Sequence, residues 1–415
     1  MVLAALAARW HAGKLMNKTS PFLLVICYLG FVSLGLPDTL LGVAWPFIRG
    51  SFALPQAAAA AAFIAMGMAY ALSGSASGRL LGSLGTGRLL VLSSAAVTLA
   101  VFGFAGTPAW WLFVLAAMVH GFGSGAIDTG LNDFVSRRFS ARHMNWLHAC
   151  YSLGAAAGPA VMTAAVSPHG AWRTGYLAVG GILLILTLLF VFTRHGWADG
   201  GPISPVPALR APLRATLALP VVRWHLWLFF LYSGVESTVG QWSFTLLAEG
   251  RQLPVALAGG IVTTYWSAIF AGRILGGFLV LRAGAARLVR LGIAGAALST
   301  LVLLPYAPPA AALISLLLTG LALAPIFPCL MTLTPERTGP AHTANAIGLQ
   351  VTAATLGIAV WPSLAGLAAQ QAGPAVLPAV FAAVTALLWI IHEAGQRRIQ
   401  RDAPVDSDDC LASAR

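Results

Sequence analysis

Apolar residues fill this chain in long runs, and its polar positions gather into short clusters between them. Stretches of about 18 or more apolar residues recur, each long enough to cross a hydrocarbon layer of about 30 Å as an α-helix. In order, they predict six helices over 22–46, 57–80, 88–106, 109–135, 144–167 and 174–193, then six more over 224–247, 254–280, 287–305, 309–332, 343–369 and 375–393. Between the sets, Pro202, Pro205, Pro207, Pro212 and Pro220 with Gly196, Gly200 and Gly201 form a composition that cannot bury a core and reads as a linker. The expected plan is an all-α membrane protein of twelve transmembrane helices in two six-helix pseudo-repeats. It divides into an N-terminal segment (1–21), a first bundle (22–193), the linker (194–223), a second bundle (224–393) and a tail (394–415).

Composition supports the pattern. Of the 415 residues, 58% are hydrophobic and 9% charged, against roughly 25% charged in an average soluble domain. The formal net charge of +12 raises the question of a nucleic-acid partner, and the placement of the charges answers it. With the N-terminus in the cytoplasm, 21 of the 24 Lys and Arg residues fall on inner segments, and only Arg49, Arg173 and Arg251 on outer ones. That is the positive-inside asymmetry of a multi-pass protein with both termini cytoplasmic. The expected location is the cytoplasmic (inner) membrane, with the bilayer as surroundings and no nucleic acid as partner. The first apolar run lacks a small-residue cleavage site and is expected to stay in the chain; Met16 is a second possible start. Cys27, Cys150, Cys329 and Cys410 have no paired spacing, so neither a disulfide framework nor a zinc site is expected, and no cofactor or metal is called for.

The two sets of helices share motifs. Gly78-Arg79-Leu80-Leu81-Gly82 pairs with Gly272-Arg273-Ile274-Leu275-Gly276, and Gly154-x3-Gly158-Pro159 with Gly357-x3-Trp361-Pro362. Two such halves joined by an inner linker are the plan of rocker-type transporters, with substrate held near the midplane between the halves. The chain resembles the major facilitator superfamily. The loop signature of that family is partly present as Gly78 to Gly85 followed by Arg88, and again as Gly277 to Gly284 around Arg282. The acidic residue of the signature is missing: Gly82 stands in its place. These positions, Gly78, Gly85, Arg88, Gly277, Arg282 and Gly284, are expected to form gating loops.

Gly125-Ala126-Ile127-Asp128-Thr129-Gly130-Leu131-Asn132-Asp133-Phe134-Val135, together with His143-Met144-Asn145-Trp146-Leu147-His148 and Pro325-Ile326-Phe327-Pro328, resembles the fucose permease (fucose:proton symporter) branch, within which substrate identity varies widely. The resemblance implies that an aspartate of the first span, here Asp38, takes part in sugar binding and coupling. It also implies that Asp128 replaces an acid of the fourth span used for proton coupling.

The residues themselves point the same way. An acid at a helix centre costs about 2.5 to 3.5 kcal/mol on insertion scales, so Asp38, Asp128 and Glu236 should face a polar cavity or a partner. Pro37 before Asp38, with Gly35 and Gly42 nearby, should bend the first span and free carbonyls. Asp128 shares a helical face with Asn132 at i+4. His120 and His148 are further candidates for proton relay, although either can equally be a hydrogen-bonded packing residue. Gln241, Tyr265, Trp266, Asn345, Gln350 and Trp361 are candidates for a cavity that stacks on and hydrogen-bonds a sugar or polyol.

The expected protein is a proton-coupled secondary transporter of a small polar, sugar-like solute, not an enzyme, acting as a monomer on protons and a small-molecule substrate. The alternative is a proton-antiport exporter of a drug, siderophore or other metabolite. Gly154-x3-Gly158-Pro159 resembles the start of an antiporter motif, but Met162 and Thr163 replace its closing glycines. A membrane enzyme would need clustered catalytic or metal-binding side chains at one face, whereas the acids here are spread over separate helices.

Overall fold

The computed structural model describes residues 21–139, 141–197, 211–304 and 308–402. The expected N-terminal segment before Pro21, the linker over 198–210 and the tail beyond 402, with Cys410, lie outside the described residues. The first span is two helices, α1 (Pro21–Asp38) and α2 (Leu40–Ser51), meeting at Thr39. The first half continues with α3 (Ala59–Gly106), α4 (Trp110–Arg138), α5 (Ala141–His169) and α6 (Trp172–Thr193). After a short α7 (Leu213–Ala218), the second half comprises α8 (Pro220–Thr245), α9 (Val255–Ala283), α10 (Ala285–Leu301), α11 (Pro309–Leu323), α12 (Ile326–Thr338), α13 (Pro340–Ala372) and α14 (Leu377–Asp402).

Among the described residues, nine helical stretches are long and apolar enough to cross a membrane. Within one of them, α3 is interrupted at Gly85 (φ 71°, ψ 161°) and is two spans in space. Two more helices complete the series: α8, rich in polar side chains, and α10, 17 residues long. Helices α11 and α12 together make one span, Pro309–Thr338. Twelve spans follow in chain order, at the places the apolar runs mark. The second bundle begins at Pro220, a few residues before the expected 224, because Pro220 starts α8 at a position where a missing N–H is harmless.

The halves repeat each other at their turns and closest packings. Gly85 and Gly284 both take positive φ (71° and 76°), a conformation glycine adopts without a Cβ penalty, and each ends the second span of its half. This equivalence pairs Gly78 with Gly277 and corrects the match of Gly78–Gly82 to Gly272–Gly276. A Cβ on Gly35 would lie 2.0 Å from the Tyr151 carbonyl oxygen and one on Gly154 2.0 Å from that of Val32, so α1 and α5 touch backbone to backbone. In the second half Gly234 meets the Trp361 ring and Gly357 the Phe230 carbonyl, at 2.1 Å each. Small residues at such crossings let helices approach closely in a membrane, where no hydrophobic force drives them together. Gly35→Val is expected to force the two helices apart and to lower the thermal transition of the detergent-solubilised protein, a cost of about 1–3 kcal/mol or more. Gly181→Ala, where nothing lies within 4 Å, is the control that leaves the transition unchanged.

The outer wall is apolar: Leu99, Ile185, Phe278 and Leu281 are among its most exposed side chains. Across the halves, the end of the bundle that carries few arginines is tied by polar contacts. Arg49 Nη2 donates to Glu249 Oε1 at 2.7 Å, Gln56 Nε2 to Glu249 Oε2 at 2.6 Å, and the Ala57 amide to Gln370 Oε1 at 3.0 Å. Phe47 also packs on Phe244 across the halves.

Candidate functional site

Asp38 stands at the break in the first span. Pro37 has no N–H to continue the helix ladder, and the chain turns at Thr39, whose hydroxyl donates to the Ala155 carbonyl at 3.0 Å. The Asp38 carbonyl left over by the break accepts the side-chain amide of Gln241, at 2.8 Å, from the opposite half. Its carboxylate accepts the Tyr151 hydroxyl at 2.9 Å. His120 Nε2 lies 3.9 Å from the other carboxylate oxygen, too far for a hydrogen bond. The partners of the Asp38 side chain lie on α4 and α5 and that of its carbonyl on α8, so the residue stands at the junction of the halves, with 27% of its side chain exposed. The helix breaks at Thr39, two residues after Pro37, and the Asp38 carbonyl beside the break has a partner that sequence did not indicate.

Asp128 accepts Asn132 Nδ2 at 3.0 Å, the i+4 bond its spacing predicts, and has Tyr70 of α3 as a close polar neighbour. Gly121 and Gly125 on the same helix meet the carbonyls of Met66 and Tyr70, so they serve the α3–α4 crossing. Asp128 is within electrostatic range of Asp38.

Glu236, on α8, accepts the hydroxyl of Tyr232 one turn earlier and pairs with Arg273 of α9, Nη2 lying 3.3 and 3.4 Å from its two oxygens. Both side chains are 14% exposed. Arg273 also reaches the other half, donating from Nη1 to Ser152 Oγ at 2.5 Å and to the His148 carbonyl at 3.4 Å. Tyr151 stands between Asp38 and this pair and feels both. Arg273, counted from sequence among the inner-segment arginines, is thus an intramembrane residue. The predicted limits of its span, 254–280, already enclose it, which is the signal that was available.

The remaining candidates divide. Gln241 is half-buried at the junction of the halves. Trp361 is half-buried over Gly234, and its indole N–H has no hydrogen-bond partner, as is true of Trp266, 5% exposed beside Gly240. His120 is 1% exposed with both ring nitrogens unpartnered. The His148 ring packs edge-on against Phe31. Three residues expected in the cavity are placed elsewhere. Tyr265 is fully buried, its hydroxyl on the Glu236 carbonyl. Gln350 is fully buried and bonds Thr334. Asn345 donates to the Ala211 carbonyl beside α7. Tyr265 and Gln350 face their own half's packing and Asn345 the segment before α8, because apolar residues are spread around α9 and α13 and periodicity cannot say which face is inward. Tyr70, Tyr151, Ser152 and Tyr232 were not singled out from sequence. A hydroxyl inside an apolar run carries no signal until its partner is known. Among the described residues no group of His, Cys, Asp and Glu is arranged to hold a metal ion.

A broken helix, buried carboxyls and a polar interface between two six-helix halves define a membrane-transporter architecture. Residues 27–362, and separately 259–406, match the Major Facilitator Superfamily. The chain belongs to that superfamily and is a multi-pass membrane protein. It is 23% identical over 261 residues to the glucose/mannose transporter GlcP of Bacillus subtilis, covering 59% of this chain and 63% of that protein. It is 25% identical over 347 residues to the sodium-dependent glucose transporter 1 of Danio rerio, covering 72% of this chain and 58% of that protein. The matched region therefore spans 63% and 58% of those relatives' lengths. Among solved structures, a variant of the nucleoside transporter NupG superposes with a TM-score of 0.71 at 14% identity, covering 91% of this chain and 100% of that one. A variant of the E. coli fucose:proton symporter FucP superposes with a TM-score of 0.62 at 17% identity, covering 91% and 99%. At these identities the likeness is one of fold.

Proposed function

We propose that this protein is a proton-coupled secondary transporter that moves a small polar solute of the sugar class by alternating access. The observation that carries the reading is the Asp38 carboxyl, placed between the halves at a helix break, with Tyr151 on its carboxylate and the second half's Gln241 on its carbonyl. A carboxyl there crosses between the two faces far more cheaply when neutral, so a proton and the rocking of the halves become linked. The names of the relatives, glucose/mannose and glucose transporters, favour a sugar.

In this reading Asp38 and Asp128 exchange protons with the solvent that enters the cavity, and Asn132, Tyr70 and Tyr151 hold the carboxyls in place. His120 and His148 stand beside the path. Gln241, Trp266 and Trp361 contribute amide and ring surfaces to the solute. Gly85 and Gly284 form the turns that carry the Gly78, Arg88, Gly277 and Arg282 segments, which flex as the halves rock. The 22–193 and 224–393 bundles are the rocking units, the arginine-rich face and both termini are cytoplasmic, the membrane is the cytoplasmic (inner) one, and a monomer is the working unit. The Arg49–Glu249–Gln56 contacts hold the opposite face closed in the conformation described.

The test is uptake of labelled glucose and related sugars into proteoliposomes. Accumulation driven by an inward proton gradient without sodium is the expected result. Accumulation only with a sodium gradient reassigns the coupling ion, and solute expulsion against incoming protons identifies an exporter.

A further inference from the structure

We propose that the Glu236–Arg273 pair acts as a charge filter: with its one arginine neutralised, the cavity between the halves excludes anionic solutes and admits neutral or amine-bearing ones. The inference deepens the transporter reading and rests on it for the meaning of "solute". Its physical content, the sign of the field inside the cavity, can be measured without any solute.

The argument is a count of charge. Among the described residues, Asp38, Asp128, Glu236 and Arg273 are the ionisable groups gathered around the break in the first span, with His120 and His148 beside them, while the Arg49–Glu249 pair at one end of the interface cancels itself. Arg273 and Glu236 lie within ion-pair distance, 3.3 Å at the nearest, and their opposite charges cancel. An imidazolium at His120, with no partner for either nitrogen, would carry the cost of an unpaired buried charge. One at His148 would face the Arg273 guanidinium, whose charge it feels. Both histidines therefore enter the count as neutral. The interior is then neutral when Asp38 and Asp128 are both protonated, and negative when either is not. In none of these states is it positive. Among the described residues, a carboxylate or phosphate on the solute finds no free cation beside Asp38: the Arg273 donors are committed to Glu236, Ser152 and the His148 carbonyl, except Nε. An ammonium finds carboxylates. The arginines at the rim oppose this preference, because taken alone they would draw anions in. Asp133 already neutralises one of them, Arg137, at 2.6 Å.

Phe327 is half-buried with its ring 6.1 Å from that of Tyr232, which places it on the α12 wall near the pair. In a background with the four native cysteines replaced by serine, Phe327→Cys provides a thiol for methanethiosulfonate reagents carrying either a trimethylammonium or a sulfonate group. Rates are normalised to those with a free small thiol. The cationic reagent is expected to react about tenfold faster than the anionic one, a modest case of field focusing in a charged cleft. Adding Glu236→Gln uncovers Arg273 and should bring the ratio to parity or below. Replacing both partners, Glu236→Gln with Arg273→Met, should restore the cation preference, since Asp38 and Asp128 then set the field alone. A parent ratio at or below one overturns the filter, as does a Glu236→Gln ratio equal to the parent's. In proteoliposomes, glucosamine is expected to compete with glucose uptake and gluconate is not. If no sugar is carried, the sugar reading falls while the thiol ratios still decide the filter.

Discussion

Asp38→Asn is expected to abolish proton-driven accumulation of solute while leaving solute exchange across the membrane in place. The amide keeps the shape of the side chain and its bond with Tyr151, and the carbonyl bond to Gln241 is untouched. Only the capacity to take up and release a proton is lost. If that capacity links the gradient to the rocking of the halves, accumulation falls by on the order of 100-fold, the scale on which removing a positioned proton carrier acts. Exchange of labelled for unlabelled solute without a gradient needs no net proton movement and should persist within a few-fold. Asp128→Asn is expected to act in the same direction. Parallel loss of accumulation and exchange in Asp38→Asn would make the residue structural instead.

The second large effect is on stability. Arg273→Ala leaves Glu236 with only hydroxyl company in a water-poor interior and removes the donor to Ser152. Breaking a buried pair by removing one partner costs about 3–5 kcal/mol, whereas replacing both with apolar or neutral groups of similar size is often neutral. The solubilised Arg273→Ala protein should unfold at a markedly lower temperature in a tryptophan-fluorescence melt. Arg273→Met combined with Glu236→Gln should recover most of the loss. Recovery relative to Arg273→Met alone is the informative outcome, since overpacking or a lost contact would not be repaired by a second substitution at Glu236.

Much of the fold could be read from apolar runs, because a spanning helix must satisfy its backbone internally and hide its polar side chains. The glycines that end the second and eighth spans were equally visible, since Gly85 and Gly284 recur in matching contexts. Asp38, Asp128 and Glu236 stood out because an acid in such a run needs a reason. What the runs could not provide was the facing of helices that are apolar all round. Tyr265 and Gln350 were therefore expected in the cavity, yet they turn into the second half's own packing. Arg273 was misread for a related reason. Hydropathy treats an arginine in the last turns of a span as interfacial, and only the folded chain shows Glu236, 37 residues away, and Ser152, 121 residues away, holding it at depth. Tyr70 and Tyr151 stayed unseen because each meets its carboxyl from a different helix, whereas Tyr232, one turn from Glu236 on α8, was within reach of the spacing.

The central claim is that the Asp38 carboxyl carries a proton each time solute crosses. It is tested most directly by adding a transported sugar to lightly buffered proteoliposomes with no gradient imposed and recording external pH. The account predicts alkalinisation in step with sugar entry for the unaltered protein, and none for Asp38→Asn. Sugar entry with no pH change, or an equal pH signal from Asp38→Asn, would contradict it.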